Sequence, residues 1–281
     1  MHPIWFQLGP LVIHWYGVMM ALAFLAGLWT AMRRAPRANI PGERIADLAL
    51  WLMVGAIVGA RFVYVTTYWR EEFAGQPWTE IFAVWHGGLV YYGGLIGAVI
   101  AGAIYLFWKQ LPLWKTADVL APSVALGNVF GRVGCLLNGC CYGRPTDVPW
   151  AIRFPNGSYA WSQQFHEGLV GPTAPSLPVQ PTEIYDGLLN LALYFFLAWL
   201  FRRKKFDGQV FASFLIGYAI ARGISEAFRG DYSPLHYHFG LTPGQVVGIP
   251  VFIVGLLLAI LLSRRGESQP AAEGRRGKPE R

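Results

Sequence analysis

The chain has 281 residues, of which 54% are hydrophobic and only 14% charged, with a formal net charge of +7. Soluble domains carry about 25% charged residues, so a wholly water-bathed globule is excluded and lipid is the expected solvent for much of the surface. The excess positive charge sits in clusters between apolar runs. Positive-inside orientation and anionic headgroups account for it, and no nucleic-acid partner is expected.

Seven apolar runs approach the ~20 residues that span a bilayer. They lie near 11–32, 45–68, 89–108, 117–137, 183–201, 209–228 and 244–263. Continuous runs of this length predict helices rather than the alternating segments of a membrane barrel. The expected fold is therefore an all-α integral membrane protein of about seven transmembrane helices. No basic residue precedes the first run within the membrane-bound part, and Arg33 follows it. That order predicts a retained first helix rather than a cleaved leader. No internal repeat is visible, which weighs against inverted-repeat transporters.

With the N-terminus outside and the C-terminus inside, 16 of the 23 basic residues fall on the cytoplasmic side, including Arg33, Arg34, Arg37, Arg44 and Arg202–Lys205. The loop after the second helix instead carries Glu71, Glu72 and Glu80. The residues divide into a membrane domain over 1–265 and a disordered cytoplasmic tail over 266–281, rich in Gly, Pro, Glu, Lys and Arg. The long segment 138–182 is expected to fold as a small external head, because a structureless loop of that length is uncommon in a compact protein.

Taken in chain order, the helices place polar groups toward one side. In the first, His14 and Tyr16 sit in the opening turn, beside Trp15, which suits an interfacial aromatic anchor. The second runs outward and puts Arg61 roughly 24 Å from its start, where a site role and snorkelling to the headgroups are both open. Gly93, Gly97 and Ala101 in the third form a small-residue face for close helix packing. Before them, Gly87-Gly88 is expected to let backbone N–H groups approach a ligand. The fourth carries Arg132 roughly 22 Å from its start. In the sixth, Arg222 and Glu226 are four residues apart on one face, which lets them neutralise each other or hold a site rigid.

Three cysteines stand at 135, 140 and 141. Their spacing fits neither a zinc motif nor Cys-x-x-Cys, and no histidine adjoins them, so no metal site is expected. They read as small fillers of a tight turn, with a Cys135–Cys140 disulfide as a further option.

Six motifs in this order resemble the bacterial prolipoprotein diacylglyceryl transferases over nearly the whole chain. They are His14-Trp15-Tyr16-Gly17; Gly87-Gly88-Leu89 through Gly93-Gly94-Leu95-Ile96-Gly97; and Gly131-Arg132-Val133-Gly134 with Asn138-Gly139 and Gly143-Arg144. Pro181-Thr182-Glu183-Ile184-Tyr185-Asp186 follows, then Gly217-Tyr218 with Arg222, Glu226, Phe228 and Arg229, and last Gly244-Gln245. The chain departs from the family pattern at Tyr92, where a histidine is usual, at Cys135 and Cys140, which replace Asn and Glu, and at Gln180, which replaces His.

The resemblance implies an enzyme of the bacterial inner membrane that moves the diacylglyceryl group of phosphatidylglycerol onto the lipobox cysteine of preproteins. Its partners would be phosphatidylglycerol, those preproteins and the surrounding membrane lipids, with no cofactor and no metal. Arg132 would hold the lipid phosphate, Arg222 the leaving group, and Glu226 would orient an arginine, with Tyr92 at the position of the family histidine. Tyr16, Asn138, Gly143, Tyr218 and His86 would line the substrate pocket. A transporter, a thiol oxidoreductase and a lipid scaffold without chemistry are the competing classes. A transporter would want polar groups along a whole path, and an oxidoreductase would need the cysteines for activity.

Overall fold

Among the described residues of the computed structural model, seven helices are long and apolar enough to cross a membrane. The structure describes residues 4–9, 11–232 and 240–267. The long helices are α1 (Trp15–Arg34), α2 (Gly42–Thr67), α3 (Tyr91–Trp108), α4 (Leu113–Asn138), α6 (Thr182–Phe201), α7 (Gln209–Phe228) and α8 (Pro243–Glu267), and a short α5 (Tyr159–His166) lies between α4 and α6. They present large apolar side chains outward, such as Phe62 at 67% and Phe195 at 63% exposure, as a lipid-facing surface requires. The chain is a multi-pass membrane protein.

The first apolar run starts later as a helix than expected. Leu11–His14 is a strand, β2, paired antiparallel with β1 (Ile4–Leu8) in a hairpin, and the helix begins only at Trp15. A short apolar stretch joined to a longer apolar run has no periodicity of its own to separate it. At the other end α8 continues to Glu267, two residues into the predicted tail, and 268–281 lie outside the described residues.

The structure has two compact units, one comprising Ala31–Thr116 and the other Met1–Thr30 with Ala117–Arg281. In the Ala31–Thr116 unit, α2 and α3 meet along the expected small-residue face. A Cβ on Gly93 would strike the Val63 side chain, one on Gly97 would fall 2.8 Å from Gly59 Cα, and one on Gly59 the same distance from Gly97 Cα. Glycine is required there because the two backbones touch.

Arg61 anchors the loop of the same unit. It is buried, and its Nε donates to Ile81 O at 2.9 Å, Nη1 to Gly87 O at 2.7 Å and Gly88 O at 3.2 Å, and Nη2 to Glu80 O at 2.6 Å. The side chain does not snorkel. The paired glycines turn carbonyls onto this guanidinium, and Gly88, at φ +74°, has its Cα against the Tyr64 ring, where a Cβ would clash.

In the other unit, Thr30 and Ser123 join α1 to α4 through their hydroxyls at 2.9 Å. Asp118 of α4 is buried and organises the start of α7: its carboxylate accepts from the backbone N–H of Gly208 and Phe211 and from Lys204 Nζ at 2.8 Å. A carboxylate at a helix N-terminus satisfies donors that the helix itself cannot.

Residues 138–182 are folded rather than structureless. Ser158 caps α5 by accepting from Trp161 N, and Tyr142, Phe154, Ala160 and Val179 form a small buried core. Backbone bonds tie its two ends to each other and to α7: Gly143 N donates to Gln180 O at 2.9 Å and Arg144 N to Phe228 O at 2.9 Å.

Candidate active site

The site builds from an acid on α6. Asp186 is 4% exposed, three residues after the likewise buried Glu183 in the first turns of α6, where an unpaired carboxylate would be costly. It is fully engaged. Oδ1 accepts from Asn190 Nδ2 at 2.9 Å, and Asn190 in turn accepts from Asn128 of α4 at 3.3 Å. Oδ2 lies 2.7 Å from Arg132 Nε and 3.5 Å from Arg222 Nη1.

The arginines extend the chain of charges. Arg222 pairs with Glu226 one turn later on α7, and Glu226 Oε1 is 3.2 Å from Arg229 Nη1. Arg229 also holds Asp231 through Nη2 at 2.6 Å and Nε at 2.8 Å. Three arginines thus alternate with three carboxylates along Arg132, Asp186, Arg222, Glu226, Arg229 and Asp231. Burial opposes the Arg229 charge, and Asp231 more than offsets it, so its guanidinium is held above its usual range. Tyr232 donates to Glu226 Oε1 at 3.2 Å, and burial pushes this phenol up to about 12, so it remains a neutral donor.

The donors are not equally spent. Both terminal nitrogens of Arg222 face carboxylates, and Nη2 also lies 3.4 Å from Tyr232 Oη. Arg132 uses only Nε, and among the described residues its two terminal nitrogens have no protein partner. They form a fork suited to a phosphate or carboxylate.

Two glycines make this possible. Gly134, two residues beyond Arg132 on α4, seats the Tyr16 ring, since a Cβ there would come within 3.2 Å of Tyr16 Cδ2. Gly244 at the start of α8 leaves room for Glu226, whose carboxyl carbon would be 2.5 Å from an added Cβ.

The turn after α4 lies beside this network. Gly139 at φ +72° and Cys141 at φ +68° reverse the chain, and Thr182 Oγ1 pins the turn to α6 by donating to Cys141 O at 2.6 Å. All three cysteines are free thiols, so the Cys135–Cys140 disulfide is not formed. Their sulfurs lie within 4.8 Å of one another, which the spacing in sequence does not reveal. Hydrogen bonds from Cys135 and Cys140, assisted by Arg229 and Arg132, hold the Cys141 thiol below the usual range.

Of the site residues predicted from sequence, the structure brings together Arg132, Arg222, Glu226 and Tyr16. Asn138 Nδ2 lies 3.7 Å from Cys140 Sγ at the turn. Gly143 makes a backbone contact, since a Cβ would fall 2.5 Å from Gln180 Cβ and 2.8 Å from Phe228 O. Tyr218 is half-buried in α7 with its ring stacked 5.8 Å from Phe214. Tyr92 and His86 belong to the Ala31–Thr116 unit. Tyr92 is 64% exposed and pairs with the Tyr91 ring, while His86 Nδ1 is 3.0 Å from Glu80 Oε2.

Asp186 and Arg229 stand in the motifs read from the sequence but received no site role there, and Asp231 and Tyr232 are absent from the sequence-predicted set. Arg229 follows Glu226 by three residues on the same helix face, a spacing that signals contact. Asp186 had a weaker signal, an acid in the first turns of an apolar helix.

The chain is similar over most of its length to known proteins. A sequence model of the family described as prolipoprotein diacylglyceryl transferase matches residues 3–261. The chain belongs to this family. It is 37% identical over 265 residues to the phosphatidylglycerol–prolipoprotein diacylglyceryl transferase of Synechococcus elongatus, covering 91% of this chain and 85% of that protein. The enzyme of the same name from Legionella pneumophila strain Paris is 37% identical, covering 92% and 95% respectively. That of Mannheimia succiniciproducens is 33% identical, with 94% and 93% covered.

Proposed function

We propose that this protein transfers the diacylglyceryl group of phosphatidylglycerol to the lipobox cysteine of prolipoproteins, and that Arg132 binds the lipid phosphate. The observation that carries the site assignment is the Arg132 fork: Asp186 fixes its Nε at 2.7 Å and leaves its terminal donors open. A phosphodiester is a singly charged anion with two free oxygens, which such a fork accepts bidentately.

In the reaction, the substrate sulfur forms a bond to the glyceryl carbon as that carbon's bond to the phosphate oxygen breaks. The thiol proton is released, and the phosphate leaves as glycerol phosphate with one more negative charge. A free thiol titrates near about 8.5, so the thiolate is the attacking species. Fixed cations that meet the charge growing on the phosphate favour the transition state over the bound lipid. Arg132 meets it directly. Arg222, held between Asp186 and Glu226, supplies the second positive charge to the leaving group. Glu226 fixes Arg222 and Arg229 relative to each other, and Tyr16 and Asn138 shape the substrate pocket. Tyr218 and Gly143 complete the substrate-binding set of this unit, and Tyr92, at the position of the family histidine, and His86 are the proposed substrate-binding residues of the Ala31–Thr116 unit.

The clustered basic residues support an N-out, C-in orientation in the bacterial inner membrane, with the head of residues 138–182 on the outer face, where exported preproteins emerge. The cysteines of the turn take no part in the transfer, and replacing all three by serine leaves substantial activity.

The test is the mass increase of a lipobox peptide incubated with the purified protein and phosphatidylglycerol. Arg132→Ala abolishes the shift while the protein remains folded. Near-normal transfer by that variant sinks the role of Arg132, and no shift with the wild type on any anionic phospholipid sinks the enzyme reading.

A further inference from the structure

We propose that Cys135, Cys140 and Cys141 form a three-thiolate site for one soft d10 cation of the Zn(II) type, and that filling it inhibits the transferase. All three sulfurs lie within 4.8 Å of one another. Two thiolates on one zinc, each at ~2.3 Å, stand about 3.8 Å apart in a tetrahedral shell. Closing the site therefore moves sulfurs by less than about 1 Å.

The backbone is already arranged for it. Cys135 lies in the last turn of α4, Cys140 N donates back to Cys135 O at 3.2 Å, and the reversal at Gly139 and Cys141 returns the chain over the helix end. The thiols are unoxidised and half-buried, so an ion can reach them while bulk water is partly excluded. Sulfur ligands select soft metals over calcium or magnesium, which take oxygen. Asn138, already beside Cys140 Sγ, borders the open fourth position.

Charge favours the filled state. A divalent cation displaces three thiol protons and leaves a complex of net charge −1, next to Arg132 and Arg229, both within electrostatic range of Cys141. That anion competes with the lipid phosphate for the open donors of Arg132. The inhibitory part rests on the reading of Arg132 given above, whereas the binding part does not.

The two parts are tested separately. Metal-free protein, reduced with a phosphine so that no added thiol competes, is titrated with Cd(II) without any lipid donor, and the ultraviolet thiolate-to-cadmium band is followed. One equivalent is expected to saturate the band, and prior loading with Zn(II) to slow its appearance as Cd(II) replaces the bound zinc. Each single Cys→Ser variant weakens binding more than tenfold, and the triple variant loses the band. A wild type with three titratable thiols but no band, or a band unchanged in the triple variant, overturns the site. In the transfer assay, Zn(II) is expected to suppress the wild type at least tenfold and to spare the triple variant. Equal suppression of both, or of neither, overturns the inhibitory role. If untreated wild type transfers nothing, the transferase reading fails while the cadmium titration still decides the site.

Discussion

Arg61 and Arg132 are both guanidinium groups far along long apolar helices, and they are used in opposite ways. Every nitrogen of Arg61 is bound to backbone carbonyls, four of them, and its guanidinium also packs on the Tyr64 and Phe73 rings at 5.6 and 5.3 Å. Arg132 gives one nitrogen to Asp186 and keeps two in reserve. A saturated buried cation shapes a loop, and an unsaturated one is available to a ligand. Position along an apolar helix alone does not distinguish them; the donor count does.

Exchanging each arginine for a residue that keeps part of its function tests that contrast most severely. Arg132→Lys keeps the charge but not the fork, and transfer is expected to fall about a thousandfold with the melting temperature nearly unchanged. If the lysine variant keeps a tenth of wild-type transfer, a point charge suffices and the contrast loses its meaning. Arg61→Ala should show the reverse pattern. Four carbonyls lose a charged donor, so stability falls by about 3 kcal/mol in detergent unfolding, while transfer per folded molecule stays within a few-fold of wild type. A selective loss of activity there would move Arg61 into the site.

Gly88→Ala should give a weaker form of the same defect. Its φ of +74° and the Tyr64 ring both resist a Cβ, for a cost of about 2 kcal/mol, visible as earlier thermal unfolding with activity retained. The smallest effect concerns a cation on carboxylates. Burial pulls the Lys204 ammonium down, but Asp118 and Asp207 more than offset it and hold its pKa above the usual value. Its contribution is thus complete below the ordinary lysine pKa of about 10.4 and is lost as pH rises through the raised folded value. The stability advantage of wild type over Lys204→Met should be level between neutral pH and that point and shrink above it. An advantage that grows with alkalinity would reverse the sign.

The seven spans were legible because bilayer thickness sets their length, whatever the packing. The glycine face of α3 was legible for a related reason, since few uses exist for small residues at that spacing in an apolar helix; its counterpart on α2, Gly55 and Gly59, was not read. Arg222 and Glu226 were found through helical periodicity. The partner of Arg132 was not, because Asp186 comes from another helix and periodicity is silent about contacts between helices. Gly87-Gly88 were read as donors to a ligand, yet their carbonyls face Arg61; composition marks a permissive backbone without saying which of its groups points inward. The cysteine spacing argued against metal binding along the chain, and only the left-handed turn at Gly139 and Cys141 brings the sulfurs together. The hairpin of β1 and β2 was hidden because its second strand adjoins the apolar run of α1.

Asp186 touches both Arg132 and Arg222 with the same oxygen. In a mutational scan, therefore, these three positions will not behave as separate loci. Once Asp186 is replaced, loss of either arginine should add little further defect, and a second-site suppressor of an Asp186 allele is most readily sought among residues that restore an acceptor between α4 and α7. Lineages can revise this trio only together, so substitutions there should be gained and lost as a set.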